Sequence, residues 1–410
     1  MTLSNQTLDS ATSRPMERVR QIWLDRTGWL VNNPKWTMVV LGILGMLYRF
    51  RWLTLSPLVA GDQGWPTLAR LKTYWPWPGF WDMTNGLGGI NVAFNSFRYP
   101  HYFLYGLLAQ FGLHWNVIER LTTYWPEAIF IPVASWWLAR QILGTSRWTL
   151  LVPLLFVANP YILEVGASEP PLVFGAALSC FTLGAFIITM RRRSVKWAVY
   201  TGLFMALVTA IDIRPAVVST YLLAIYFVVV IIAEPKLRAV GNRLALGALA
   251  GAVFGFLQLT WLLPTALYHG GVKLPISLRP DLNIIDYAHA MTGVVAEWTG
   301  AQPAPIVGTT LNPVFLIMPL LAFAVLLRNR LSPELTWLGL VAIIFGFLAK
   351  TVTPPFGAIY EFLYKHLPSF NLFREGSKFL APVALALAIL APVAIGTLWQ
   401  RRARVSQSRP

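Results

Sequence analysis

The sequence predicts an all-α membrane protein: a polytopic bundle of about ten transmembrane helices with a long first extracytoplasmic loop that carries interfacial helices. Three observations lead there. The 410 residues are 56% hydrophobic and only 12% charged, about half the charged share of an ordinary soluble domain. The apolar residues come in continuous blocks of about 20, enough for a helix to cross a bilayer core of about 30 Å. They lack the alternation of barrel strands. The formal charge of +16 is also unevenly spread, gathering in short segments between alternate blocks, as cytoplasmic loops do.

Taken in order, the predicted spans are 36–54, 121–139, 148–163, 171–190, 196–211, 215–233, 244–267, 312–327, 335–349 and 379–399. Residues 1–35 form a basic cytoplasmic segment without the short apolar core and cleavage site of a signal peptide. The first span is therefore expected to act as a signal anchor. With the N-terminus inside, the inner turns collect Arg140 and Arg147, Arg191–Arg193 with Lys196, Lys236, Arg238 and Arg243, and the basic tail 400–410. The positive charge thus reads as a topology signal, and nucleic-acid binding is set aside. The run "HYFLYGLLAQFGLH" (101–114) is apolar but too short to cross. Counting it as a span would also put the arginine triplet outside, so it reads as an interfacial helix within the first outer loop, 55–120. Further outer segments are 268–311 and 350–378, and the membrane domain as a whole is 36–399.

Loops hold function when a rigid scaffold positions them, and here the long loops are all outside. The first contains "GDQGWP" at 61–66, with Asp62 between Gly61 and a second glycine, Gly64. Glycine permits close backbone or ligand approach, so Asp62 is the leading catalytic carboxylate. Asp82, beside Trp81, is either a second acidic candidate or part of an aromatic belt at the headgroup level. Glu164 and Glu169 bracket a short outer turn. They either hold a divalent cation together with Asp62 or are solvated turn residues. Asp212 and Arg214, in "IDIRP", are a local ion pair or place Arg214 against a lipid phosphate. In "FNLFREGSKF" (370–379), Arg374 and Lys378 stand four apart. On a helix they would share a face and clamp a phosphate; otherwise they snorkel to headgroups or pair with Glu375. Arg49 and Arg51 pose the same choice, with snorkelling favoured. The five histidines lack metal-ligand spacing, Cys180 is the sole cysteine, and no P-loop, dinucleotide fingerprint or nucleophile elbow is present.

"GD" at 61–62, "WDMTNGLGG" at 81–89, "YPHYFL" at 99–104 and "FREGSKF" at 373–379 resemble the GT-C superfamily of integral membrane glycosyltransferases. They are most similar to bacterial arabinofuranosyltransferase-like enzymes of the cell envelope. The chain departs from that pattern at Gly376, where such proteins often place proline. The resemblance implies a polyprenyl-phosphate-linked sugar as donor, a glycan, lipid or protein as acceptor, and transfer on the extracytoplasmic side with inversion. It also implies that Asp62 stands near the reaction centre. An acceptor hydroxyl must lose a proton as it attacks, which a carboxylate can take. A departing lipid phosphate needs cations, a role open to Arg374, Lys378 and Arg214. The alternative is a transporter or flippase of lipid-linked sugars. That calls for polar groups along a path through the bilayer, and the predicted spans hold few beyond Glu127 and Arg49.

Overall fold

A computed structural model of the chain describes residues 27–54, 58, 66–76, 81–82, 89–90, 96–267, 286–293, 313–328, 331–373 and 375–407. Asp62, with Gly61 and Gly64, and Arg374 lie outside the described residues. Asp82 is described by its backbone alone, in a two-residue antiparallel pairing of β1 (Trp81–Asp82) with β2 (Gly89–Ile90).

Everything else of length is helical. The elements are α1 (Pro34–Tyr48), α2 (Leu68–Lys72), α3 (Tyr99–Gln110), α4 (Trp115–Glu119), α5 (Trp125–Leu143), α6 (Leu151–Val157), α7 (Pro160–Ser168) and α8 (Pro170–Arg192). After them come α9 (Val195–Ile211), α10 (Ile213–Ala233), α11 (Leu237–Leu267), α12 (Tyr287–Thr292), α13 (Ile317–Leu326), α14 (Pro333–Ala349), α15 (Gly357–His366) and α16 (Leu380–Gln407). Each predicted span falls on one of these helices or on the α6–α7 pair. Among the described residues, however, four segments are long and apolar enough to cross a membrane by themselves: Pro170–Arg192, Ile213–Ala233, Leu237–Leu263 and Gly376–Gln400. The α6–α7 pair, bent by 52°, would make a fifth. The others fall short in length or apolarity.

Local chemistry sets the helix ends. Proline opens α1, α7, α8 and α14, where its missing N–H is no loss and its φ already suits a helix. The α6–α7 bend sits at "ANP": Asn159 is extended (φ −64°, ψ 130°) and its side chain caps Tyr161 N at 3.0 Å. A residue before proline is pushed out of the helical region, so the bend is encoded there. Hydroxyls inside the long helices bond back to the carbonyl four residues earlier, as at Ser135, Ser179, Thr189, Thr201 and Thr209. These five therefore carry no unsatisfied donor into apolar surroundings, whereas Thr182 and Ser219 keep buried hydroxyls without a hydrogen bond.

Two helices form the centre. The span of α8 is 89% buried, against 17% for that of α11. α8 packs on α5, α9 and α10, and α16 packs on α13 and α14. α3 spans twelve residues, about 18 Å of helix, too short for a bilayer core. It closes a small separate core through Leu71, Tyr105, Ala109 and Ile118, and Tyr102 stacks on Tyr74 at 5.0 Å. The described residues of this segment therefore have a packed core of their own.

Candidate functional site

The charged residues of interest meet at one end of the bundle, where α7 ends, α8 begins, α9 turns into α10 and α16 begins. The turn between α9 and α10 is built on Asp212. Its backbone is extended (φ −155°, ψ 133°) and its carboxylate accepts from Arg214 N at 2.8 Å, an N-cap that satisfies one orphan donor of α10. The same carboxylate takes Arg214 Nη2 at 2.7 Å and Arg98 Nη2 at 3.3 Å. Asp212 is 1% exposed. Burial by itself would raise its carboxyl, but Arg214, with Arg98 behind it, overrides this and holds it at about 2. The pair expected to be local and weak is thus buried and joined by a third partner. Sequence reading missed Arg98. Its signal was available: like Arg214 and Lys378, it is a cation on the predicted outer side.

Glu169, at the junction of α7 and α8, places Oε2 2.9 Å from Arg214 Nη1. The carboxylate oxygen lies off the N–H direction, so this is an ion pair without a hydrogen bond. Glu164 stands apart from the expected turn: α7 continues to Ser168, and Glu164 sits within it, accepting Ser168 Oγ at its carbonyl. Among the described residues no group of three histidines, cysteines or acids is placed to hold a metal ion; Asp62, the expected third ligand, is not among them.

The "FREGSKF" segment differs from expectation. Glu375 is extended (φ −113°, ψ 119°) and only Gly376–Phe379 turns, as a 3-10 helix. Lys378 therefore sits in a 3-10 turn and not in the α-helix on which a shared face with Arg374 would depend. Lys378 is buried and pairs with the Glu375 carboxylate. Gly376 explains the departure from proline: a Cβ there would run into the Ala349 carbonyl and the Thr351 methyl. Beside it Lys350, also buried, donates to the carbonyls of Thr353 and Pro355, and burial pushes its amine below the ordinary value.

Arg214 and Lys378 line the same cavity. Its walls are apolar, from Phe156, Leu172, Val173, Val218, Leu222 and Leu385 among others, and run between α7, α8, α10 and α16. The space between its wall atoms, open mouth included, is about 500 Å³. Tyr161 and Ser219 add hydroxyls to the lining. Two cations in the lining of an otherwise apolar cavity are complementary to an anionic head on a hydrocarbon chain. Asp212 and Glu169 occupy Arg214 now, and Glu375 occupies Lys378, so an incoming anion would compete with three carboxylates.

The approach to Asp62 is anchored four residues upstream, where Leu58 N donates to Glu119 Oε1 at 3.2 Å. Glu119 pairs with the fully buried Arg120 at 2.9 Å, and Arg120 Nε donates to Thr54 O at 2.6 Å. Arg49 corrects another expectation. It does not snorkel: its guanidinium lies over Trp52 at 4.6 Å and donates to Ile162 O at 3.3 Å. Arg49 and the buried Glu127 approach α7 together at Gly166, where a Cβ would lie 2.6 Å from Glu127 Oε1 and 2.7 Å from Arg49 Nη2.

Among the described residues, fold and site define a predominantly helical chain with several helices fit to cross a membrane and, at one end, an apolar cavity lined by two cations. No family model matches the chain, and no curated protein or solved structure is significantly similar to it.

Proposed function

We propose that the chain is a ten-span membrane glycosyltransferase of the GT-C type, moving a sugar from a polyprenyl-phosphate donor to a cell-envelope acceptor on the extracytoplasmic side. The observation that carries this reading is the cavity, whose otherwise apolar lining between α8, α10 and α16 includes Arg214 and Lys378. In this scheme the donor phosphate displaces Glu169 and Glu375 from the two cations, Asp212 stays on Arg214, and the isoprenoid chain parts the apolar walls. The cations stabilise the departing phosphate. Asp62 takes the proton from the acceptor hydroxyl as it attacks the anomeric carbon, and a single displacement inverts that centre.

The test uses purified full-length protein and a panel of polyprenyl-phosphate sugars, with a covalent product as the readout. Transfer by the wild type, lost in Asp62→Asn at unchanged folded yield, supports the reading. Movement of lipid-linked sugar across sealed vesicles without any covalent product would replace it with the transporter reading.

A further inference from the structure

We infer that α15 is a membrane-surface anchor, lying in the headgroup region of the bilayer with one apolar face turned into the lipid. This stands apart from the proposed chemistry. α15 joins the end of α14 to the start of α16, and those two helices pack on each other. A helix tethered between neighbouring ends at the same side of a bundle sits at the level where those helices leave the bilayer.

Its side chains fall into three sectors, because successive residues turn by about 100°. The first faces the protein. Tyr360 and Tyr364 are buried, and Tyr360 Oη donates to Phe373 O. The second is polar, with Glu361 and Lys365 both exposed and 3.7 Å apart. The third holds Ile359 and Phe362, 49% and 61% exposed, preceded by Phe356 at 69%. A helix on the surface of a soluble protein needs only the first two. The third sector is what an interfacial helix presents to acyl chains while its charged strip stays in water. α14 likewise leaves Ile343 and Ile344 open. His366, exposed and stacked on Phe362 at 4.5 Å, projects from this same sector in the last turn of the helix, where its ring can reach the water side. The anchor bears on the cavity through Tyr360: the Phe370, Phe373 and Phe379 rings, with centroids 4.5–5.8 Å apart, join α15 to the turn that carries Lys378.

Single-cysteine variants of the full chain test this directly. Cys180 is buried and is replaced by alanine to clear the background. Ile359→Cys, Phe362→Cys and Lys365→Cys are then spin-labelled in vesicles of phosphatidylethanolamine and phosphatidylglycerol. Power saturation compares molecular oxygen, which concentrates in lipid, with a water-soluble nickel chelate. The expected result is oxygen-dominated relaxation at 359 and 362 and nickel-dominated relaxation at 365. Nickel-dominated relaxation at either 359 or 362 overturns the inference. So does shielding of both labels from both reagents, which would mean that protein covers this face.

Discussion

Replacing Asp212 with alanine would take from Arg98 and Arg214 the buried carboxylate they share, leaving Arg214 its ion pair with Glu169. Breaking a buried pair by removing one partner costs about 3–5 kcal/mol, so Asp212→Ala is expected to unfold well below the wild type in a detergent melt. The loss has a pH signature. The Asp212 carboxyl sits at about 2 in the fold, below its ordinary value near 3.9. Its contribution is therefore fully present above about pH 4 and fades as pH falls towards 2. The gap between wild type and Asp212→Ala should be constant near neutrality and close over that acid window; a gap unchanged at pH 2.5 would remove the carboxylate from the account. Glu169 makes the opposite prediction. It competes for Arg214 at a half-open position, where an ion pair is worth about 1 kcal/mol or less. Glu169→Gln should then bind polyprenyl phosphate up to about fivefold more tightly, by titration calorimetry, and unchanged or weaker binding would argue against phosphate at Arg214. What sequence could say of this cluster was limited by distance along the chain. Arg214 and Lys378 are legible as cations on the wrong side of a positive-inside pattern. Their neutralisation is not, because it depends on backbone: Asp212 and Glu375 are extended residues that cap or precede a helix, and Arg98 reaches Asp212 from 114 residues away.

At the scale of elements, apolar block length found the helices, but the expected span 148–163 ran straight through "NP" at 159–160, where the structure bends. The ends of the outer segment are harder to read, since α3 is held by neighbours rather than by length. His101 shows how tightly. It is buried on α3, with Nε2 3.2 Å from Thr122 O and Nδ1 3.4 Å from Tyr105 Oη. A neutral ring satisfies both, donating to the carbonyl and accepting from the phenol. Burial, with Arg98 adding to it, pushes this imidazole down to about 4. Below its ordinary value of 6.5 the unfolded chain takes up a proton that the folded one refuses. The packing of α3 should therefore lose about 3 kcal/mol between pH 6.5 and about 4. His101→Asn should melt with a flatter pH profile over that range, and an identical slope in both proteins would count against the assignment. The "FREGSKF" turn yields to a steric test instead. Gly376→Ala drives a methyl into the Ala349 carbonyl, an overpacking that costs about 1–3 kcal/mol. A melting temperature equal to the wild type would show that the α14–α16 junction can give way.

For the whole molecule, the number of crossings depends on how the helices pack as well as on each helix alone. Four spans stand alone on length and composition, or five with the bent pair, while ten apolar segments alternate with basic turns. The difference is physical. α1, α9 and α14 have 15 to 17 residues, about 23–26 Å of helix, short of a 30 Å core but within what local thinning of the bilayer can absorb. α5 is long enough, yet its tryptophans, Pro132 and Glu127 make it less apolar than a lone span requires; its packing on α1 and α8 shields those groups from lipid. Crossing in such a bundle belongs to the assembly and not to each helix. The arginine triplet decides between the counts. If every apolar segment crosses and 101–114 does not, position 192, at the end of α8, faces the cytoplasm and position 82 faces outside. Asp82→Cys and Arg192→Cys in a Cys180→Ala chain, treated in intact cells with a membrane-impermeant maleimide, should label at 82 alone, and 192 should react only after lysis. Labelling of 192 from outside would require an odd number of crossings fewer or more before α8. It would also carry Arg191 and Arg193 out with it, against the charge asymmetry from which the orientation is read.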